Sequence, residues 1–422
     1  MRLLLPLTML AGLAPSPWVF ASDPASSTPL ANAPALAPAR APARAPVPAK
    51  PTRELDADLA ARVLTITPES LMKIVKALPI KRSPTPTDAH RQGLIQARTL
   101  LADLATKLGY QPRIEPVAWK KREPRKPVEA PAEATPAAPP APATPPADPA
   151  TPNFGNVIFE IKGASRPRDI ILVGAHFDAV PQSPGADDNA SGVAGLMEIA
   201  RVLRAHAPAR TIRFVLFDLE EIGLVGSVQH LERWNEAQAT LQPSERENYV
   251  FMLSLDGIGY YDERPNTQKN PFEGVPGLPK VGTAGDFIAI ATIARHSKVA
   301  RRFDEAMRAG APGLKTVVID QFPIAPPDLL RSDHAPFLLQ GHPAAIIADS
   351  ANFRNPHYHQ PTDTPDTLNP PFFARTVHGL AHAIATLADE TPPVPAQFKP
   401  VTPSPTPSAP ADLPAPGSVP QK

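Results

Sequence analysis

The sequence predicts an α/β protein, a three-layer αβα sandwich in which helices cover both faces of a mixed, mostly parallel sheet. Three observations predict it. Short apolar runs at 156–161, 170–173, 211–217, 249–255 and 344–348 have the length and composition of buried strands. Longer stretches with apolar residues at helical spacing lie between them, and such alternation builds a sheet covered on both faces. The polar residues able to do chemistry share one address, just past the carboxyl end of a core strand, where open α/β sheets place their ligand sites.

The N-terminal residues 1–21 carry Arg2, the apolar run LLLPLTMLAGLA and a small-residue cleavage site at Ala21, the pattern of a secretory signal. An exported protein, periplasmic or secreted, is therefore expected. Pro6, Pro15 and Pro17 break a run already too short for a membrane span. Residues 22–52 are Ala/Pro repeat and predict an extended linker. From 53 to 390 the composition is that of one folded domain. Residues 55–64 and 71–78 predict two short helices, the second capped by Thr67 with Pro68 in its first turn. A longer helix spans 88–108 with Leu94, Ala97, Leu101, Leu104 and Leu108 at helical spacing, and Gly109 ends it. A strand follows at 113–117.

A second Ala/Pro tract at 120–152 reads as a disordered insertion between two strands of that domain. The strands at 156–161 and 169–173 come next, and a helix over 190–206 presents Val193, Leu196, Met197, Ala200 and Leu203 on one face. Past the strand at 211–217 a Gly-rich turn opens the helix 222–234, and the strand 249–255 follows. Residues 286–309 read as a single helix with Asp286 as its N-terminal carboxylate. The strand 344–348 and a closing helix over 371–389 complete the domain, and the Pro-rich residues 391–422 read as a disordered tail.

Net charge is +1, from 42 basic and 41 acidic residues with no basic stripe, so nucleic acid is not an expected partner. The absence of cysteine removes disulfides, thiolate metal sites and cysteine nucleophiles. Any metal must sit on His, Asp and Glu, which suits zinc or a harder divalent ion.

The strand at 170–173 is followed by His176 and Asp178, and a Pro/Gly loop then delivers Asp187 and Asp188 at the start of a helix. Glu220 and Glu221 follow the next strand, Asp256 the one after, and the loop beyond 344–348 holds His357 and His359. Singly, each has a plainer reading: the aspartates as helix cap and dipole partner, the glutamates as a solvated strand end. Together they supply what two metal ions about 3.5–4 Å apart require, a bridging carboxylate plus a nitrogen and a further oxygen for each. Asp188 can bridge, with His176 and Asp256 on one metal and Glu221 and His359 on the other. Asp178, on the same side of an extended chain as His176, can fix the imidazole tautomer. Glu220 projects the other way from Glu221 and can face the water as general base. His334 and Asp333 lie near such a site, contacting substrate or ligands, or else hydrogen-bond each other. The other histidines have no metal spacing and read as surface or packing residues.

These residues resemble peptidase family M28, zinc exopeptidases that include bacterial leucyl aminopeptidases. The resemblance is carried by VGAHFD (173–178), PGADDNASG (184–192), FDLEEIGLVGS (217–227), LDGIG (255–259), RSDHAPF (331–337) and FRNPHYHQPTDTPDTL (353–368). It implies the zinc-exopeptidase fold, two Zn2+ ions (Co2+ or Mn2+ can substitute) and peptide substrates with a free N-terminus. It also selects Asp188 over Asp187 as the bridging ligand, Glu220 as the base beside the ligand Glu221, and His359 over His357, and it implies a cis peptide after Asp188. A carboxypeptidase, a one-zinc glutaminyl cyclase, or a binding module without turnover remain as other readings of the same scaffold.

Overall fold

In this computed structural model the described residues are 57–119, 154–271, 273 and 281–390. The leader, the Ala/Pro linker, the insertion at 120–152 and the tail at 391–422 expected above lie outside them. Among the described residues eight strands are present: β1 (Arg113–Val117), β2 (Phe154–Ile161), β3 (Arg166–His176), β4 (Arg210–Phe217), β5 (Asn248–Leu255), β6 (Phe287–Ala291), β7 (Lys315–Ile319) and β8 (Ala344–Ala348). They form one sheet in the order β1-β2-β4-β3-β5-β8-β6-β7. The four central strands, β4, β3, β5 and β8, run parallel. The β1–β2 hairpin pairs antiparallel with β4 on one side, and β6 pairs antiparallel with β8 on the other. Their parallel direction puts the carboxyl ends of β3, β4, β5 and β8 along a single edge.

Helices close both faces. On one lie α1 (Ala57–Val63), α2 (Pro68–Ala77), α3 (Asp88–Lys107), α4 (Gly192–Leu203), α6 (Ser297–Gly310) and α8 (Pro370–Asp389). They pack Leu71, Leu101, Leu196, Phe303 and Leu380 against Ile171, Val173, Phe214 and Leu253 of the sheet. On the other lie α5 (Val225–Ala239) and α7 (Ala335–Leu339), whose Leu231 and Phe337 meet Ile170, Leu172 and Val215. Each such side chain, fully buried, stabilises the fold by about 1.5–3 kcal/mol. Ile170 pairs with Tyr249 and Ile171 with Phe251, leaving Val250 as a bulge. Tyr249 and Phe251, two apart, consequently enter opposite layers.

Local signals explain the ends of the helices. Thr67 Oγ1 accepts the Ser70 N–H at 3.1 Å and Ser70 Oγ accepts the Thr67 N–H at 3.1 Å, a reciprocal cap that opens α2 just before Pro68. Gly109, at φ +85°, ends α3.

The helix expected over 286–309 is corrected. Phe287–Ala291 is β6, a short turn at Ala294–His296 follows, and only Ser297–Gly310 is helical. The five residues FIAIA are too short to show a period, and their pairing with β8 and β7 decides their state. Asp286 is not a helix carboxylate; it precedes β6 and pairs with Lys315 of β7. The strand β7 was not anticipated at all. Before α4, residues Ala186–Ser191 form a kinked turn in which Asp188 and Asn189 leave helical backbone geometry, with a cis peptide between them.

Candidate metal centre

The carboxyl-end edge of the four parallel strands gathers two donor sets. His176, the last residue of β3, has Nε2 at 3.3 Å from Asp188 Oδ1 and 3.4 Å from Asp256 Oδ1. His359 Nε2 stands 3.0 Å from Asp188 Oδ2 and 3.2 Å from Glu221 Oε2. Asp188 thus offers one oxygen to each set, and each set joins one imidazole nitrogen to two carboxylate oxygens. Within each set the donor atoms lie within 4.8 Å of one another. Glu220, with His176 and Glu221, forms a third group at the same range.

His359 Nε2 and Glu221 Oε1 are buried without hydrogen-bond partners among the described residues, although His359 lies this close to two carboxylates. Donors that converge without aligning for hydrogen bonds suit a cation between them. The electrostatics agree. Burial pushes Glu220 well above the usual carboxylate range, and Glu221, Asp256 and Asp333 add to this against the opposing pull of His176. Burial and then Asp188 push Glu221 up to about 7. Burial works to lower the His359 pKa, but Asp188 and Glu221 prevail and push it up to about 10. Asp188 itself is held below the usual range, because the two imidazoles outweigh its burial. Without counter-cations this cluster retains protons, and divalent ions would replace them. The N/O donor set fits zinc or a harder divalent ion.

Bonds to the backbone hold the converging side chains in place. Asp178 was expected to orient His176, and its Oδ1 is 3.4 Å from His176 Nδ1. Its shorter bonds go elsewhere, since the two oxygens accept the Glu220 and Glu221 N–H groups at 3.0 and 3.1 Å. Asp178 therefore ties the β3 loop to the β4 loop. Leu219, at φ 60°, supplies the left-handed turn between β4 and Glu220. Asp363 accepts the Asp187 and Asp188 N–H groups at 2.9 and 3.2 Å. Asp187 points away from the donor sets and accepts from Gly259 N–H at 3.0 Å and Asn355 Nδ2 at 2.8 Å. Asn189 donates to Leu255 O at 2.8 Å and so fixes the start of α4 to the end of β5. The Tyr358 ring stacks on His359 at 3.9 Å, and its hydroxyl accepts from Arg331 at 2.9 Å. His357 Nδ1 lies 2.9 Å from Thr362 Oγ1 and orders its own loop.

The structure brings His176, Asp188, Glu221, Asp256 and His359 together, with Glu220 and Asp178 beside them. Asp333 and His334 join neither donor set among the described residues. Both are fully buried, and the hydrogen bond between them, one of the two readings of this pair, does not form. Burial pushes Asp333 up to about 7 and His334 down to about 4. Sequence reasoning missed the ties made by Asp187 and Tyr358, and that of Asp349, which accepts the Tyr260 N–H at 3.1 Å. It also missed a mainly apolar cavity of about 130 Å³ beside Asp256, lined by Phe287, Ala289, Ala291, Ile319, Leu329 and Ile346. Three of those residues belong to β6, which had been read as helix.

Residues 156–384 match the family model of peptidase family M28, a span that contains all five converging donor residues. An uncharacterized protein, YfbL of Escherichia coli strain K12, is 32% identical over 236 residues, covering 54% of this chain and 69% of that one. Aminopeptidase YwaD of Bacillus subtilis is 42% identical over 105 residues, 24% of this chain and 22% of the relative. The chain thus spans about two thirds of the first relative and about a fifth of the second. Among solved structures, the LapA aminopeptidase of Legionella pneumophila aligns with a TM-score of 0.54 at 18% identity, over 83% of this chain and 78% of that one. A glutaminyl cyclase of Fimbriiglobus ruber aligns with a TM-score of 0.52 at 17% identity, over 76% of this chain and 96% of that one. At such identities these two show a shared fold. With more than half its length matched, and every loop of the two donor sets inside the match, the chain belongs to peptidase family M28.

Proposed function

We propose that the chain is a dinuclear, zinc-dependent aminopeptidase that removes N-terminal residues from peptides. The observation that carries this reading is the position of Asp188, with one carboxylate oxygen against each of two imidazole-carboxylate sets. His176 and Asp256 would complete one site, and Glu221 and His359 the other. Two divalent ions held there supply Lewis-acid polarisation of the scissile carbonyl and a lowered pKa for water. Glu220 is the general base: its carboxylate takes the proton of the attacking water and hands it to the leaving amine. Asp178 holds Glu220 and Glu221 by their backbone N–H groups, so base and ligand keep a fixed separation.

The cavity beside Asp256 has room for an apolar side chain of the residue to be removed. The relatives named as aminopeptidases favour cleavage at the amino end. The sequence pattern of residues 1–21 supports export, and no helix among the described residues is long and apolar enough to cross a membrane.

The test is metal content per chain together with hydrolysis of leucine-p-nitroanilide before and after chelation. Two zinc ions are expected, with activity that vanishes on chelation and returns with metal. One ion and no hydrolysis would instead favour the cyclase or the binding module.

A further inference from the structure

Arg82 lies in the connection between α2 and α3, ahead of the residues matched by the family, and is only 2% exposed. Its guanidinium is spent on backbone carbonyls. Nε donates to Phe177 O at 2.8 Å, Nη1 to Pro79 O and Pro184 O at 2.8 Å each, and Nη2 to Gly185 O at 2.9 Å. The Arg82 carbonyl accepts the Ala179 N–H at 2.7 Å. Phe177 stands between His176 and Asp178, and Pro184 and Gly185 lead directly into Asp187 and Asp188. One side chain therefore grips the two segments that deliver His176 and Asp188, two of the three members of the first donor set.

Gly185, at φ +66°, permits the close approach, since a Cβ there would come within 2.7 Å of Nη2. The same N-terminal segment adds a second tie, with His90 Nε2 at 3.1 Å from Pro181 O. Burial lowers the Arg82 pKa to about 10, against the pull of Asp178, Asp363, Asp188 and Glu221, so the group stays charged at neutral pH.

We propose that Arg82 is a positioning residue for the metal centre: its fork clamps the His176–Asp178 loop to the loop running from Pro184 to Asp188, and sets His176 and Asp188 in ligating arrangement before any ion arrives. This rests on the dinuclear reading above. Charge and geometry act in opposite directions here. A buried cation repels divalent ions, so if charge dominated, its removal would tighten metal binding. If the clamp dominates, removal weakens binding, as loss of groups that orient ligands typically does by about 10–100-fold.

Two full-length variants decide between them. Arg82→Met removes charge and fork, whereas Arg82→Lys keeps the charge on a single amine that cannot span both loops. Zinc affinity is measured by competition with a chromophoric chelator, alongside the melting temperature with and without zinc. The expected result is at least tenfold weaker zinc binding in both. Metal-induced stabilisation then shrinks by about 1.4 kcal/mol for each tenfold at each site. A role in the fold alone would lower both melting temperatures together and leave the affinity at the parent value, and that overturns the proposal. If Arg82→Met does not fold, Arg82→Lys decides by the same criterion. A parent protein that binds no zinc would defeat the dinuclear reading instead, a separate outcome.

Discussion

Glu220 and Glu221 are neighbours in sequence whose backbone N–H groups are held by the same carboxylate, yet their side chains take different positions. Glu221 reaches His359 at 3.2 Å, while Glu220 remains near His176 with no place in the two sets that share Asp188. Glu220→Gln preserves shape and removes the base of the proposed mechanism. It is expected to keep the metal content and melting temperature of the parent while kcat falls by about 10²–10⁴. Peptide hydrolysis at the parent rate would take Glu220 out of proton transfer. At this scale much was legible in the sequence, because His176, Glu220, Glu221 and Asp256 each stand at or within a few residues of a recognisable strand end, and Asp188 and His359 lie farther along the loops that leave two such ends. The residues that hold them were less so. Asp187 differs from Asp188 only in where its side chain points, and Arg82 sits in the stretch LPIKRSPTP, beside another cation and among prolines, with nothing local to mark it as buried.

Among the elements, the β1–β2 hairpin meets α5 through a buried polar cluster on the sheet face opposite α4. Glu115 of β1 lies 2.9 Å from His230 Nδ1 and accepts from Asn156 Nδ2 at 3.0 Å. Burial works to raise the Glu115 carboxyl, but His230 and Asn156 prevail and hold it down at about 2. An unfolded glutamate titrates near 4.3. The stabilisation is therefore complete above about 4.3 and is lost as pH falls through about 2. Glu115→Leu leaves His230 Nδ1 without its partner and removes one of the two acceptors of Asn156 Nδ2, which keeps Gly226 O at 3.0 Å. It is expected to destabilise by about 1–3 kcal/mol at pH 7, read from urea unfolding, with the difference from the parent narrowing below about pH 4. A pH-independent difference would count against the titration. Element type was legible wherever the period was long, as in α3 and α8. It failed at β6, because five apolar residues joined to an amphipathic helix carry no period of their own and take their state from β8.

At the scale of the whole molecule, α/β alternation was legible, but strand order was not. Nothing local announces that β4, β3, β5 and β8 will lie side by side, and that adjacency assembles one centre from four loops. The assembled charge has its own signature. With His359 pushed up to about 10 and Glu221 to about 7, the metal-free centre carries protons at neutral pH that the ions must displace. Zinc binding is expected to release protons at pH 7 and to weaken as pH falls. Calorimetric titration in two buffers of different ionisation heat checks this, and equal heats would contradict it. The order of the ligands along the chain also has a temporal side. His176, Asp188 and Asp256 all leave the ribosome before β8, whereas His359 follows it. A growing chain can complete its first donor set early, but the second must wait until β8 has paired with β5 and the loop beyond has folded back onto Asp188. On the proposed function, such a peptidase stays unarmed through most of its own synthesis.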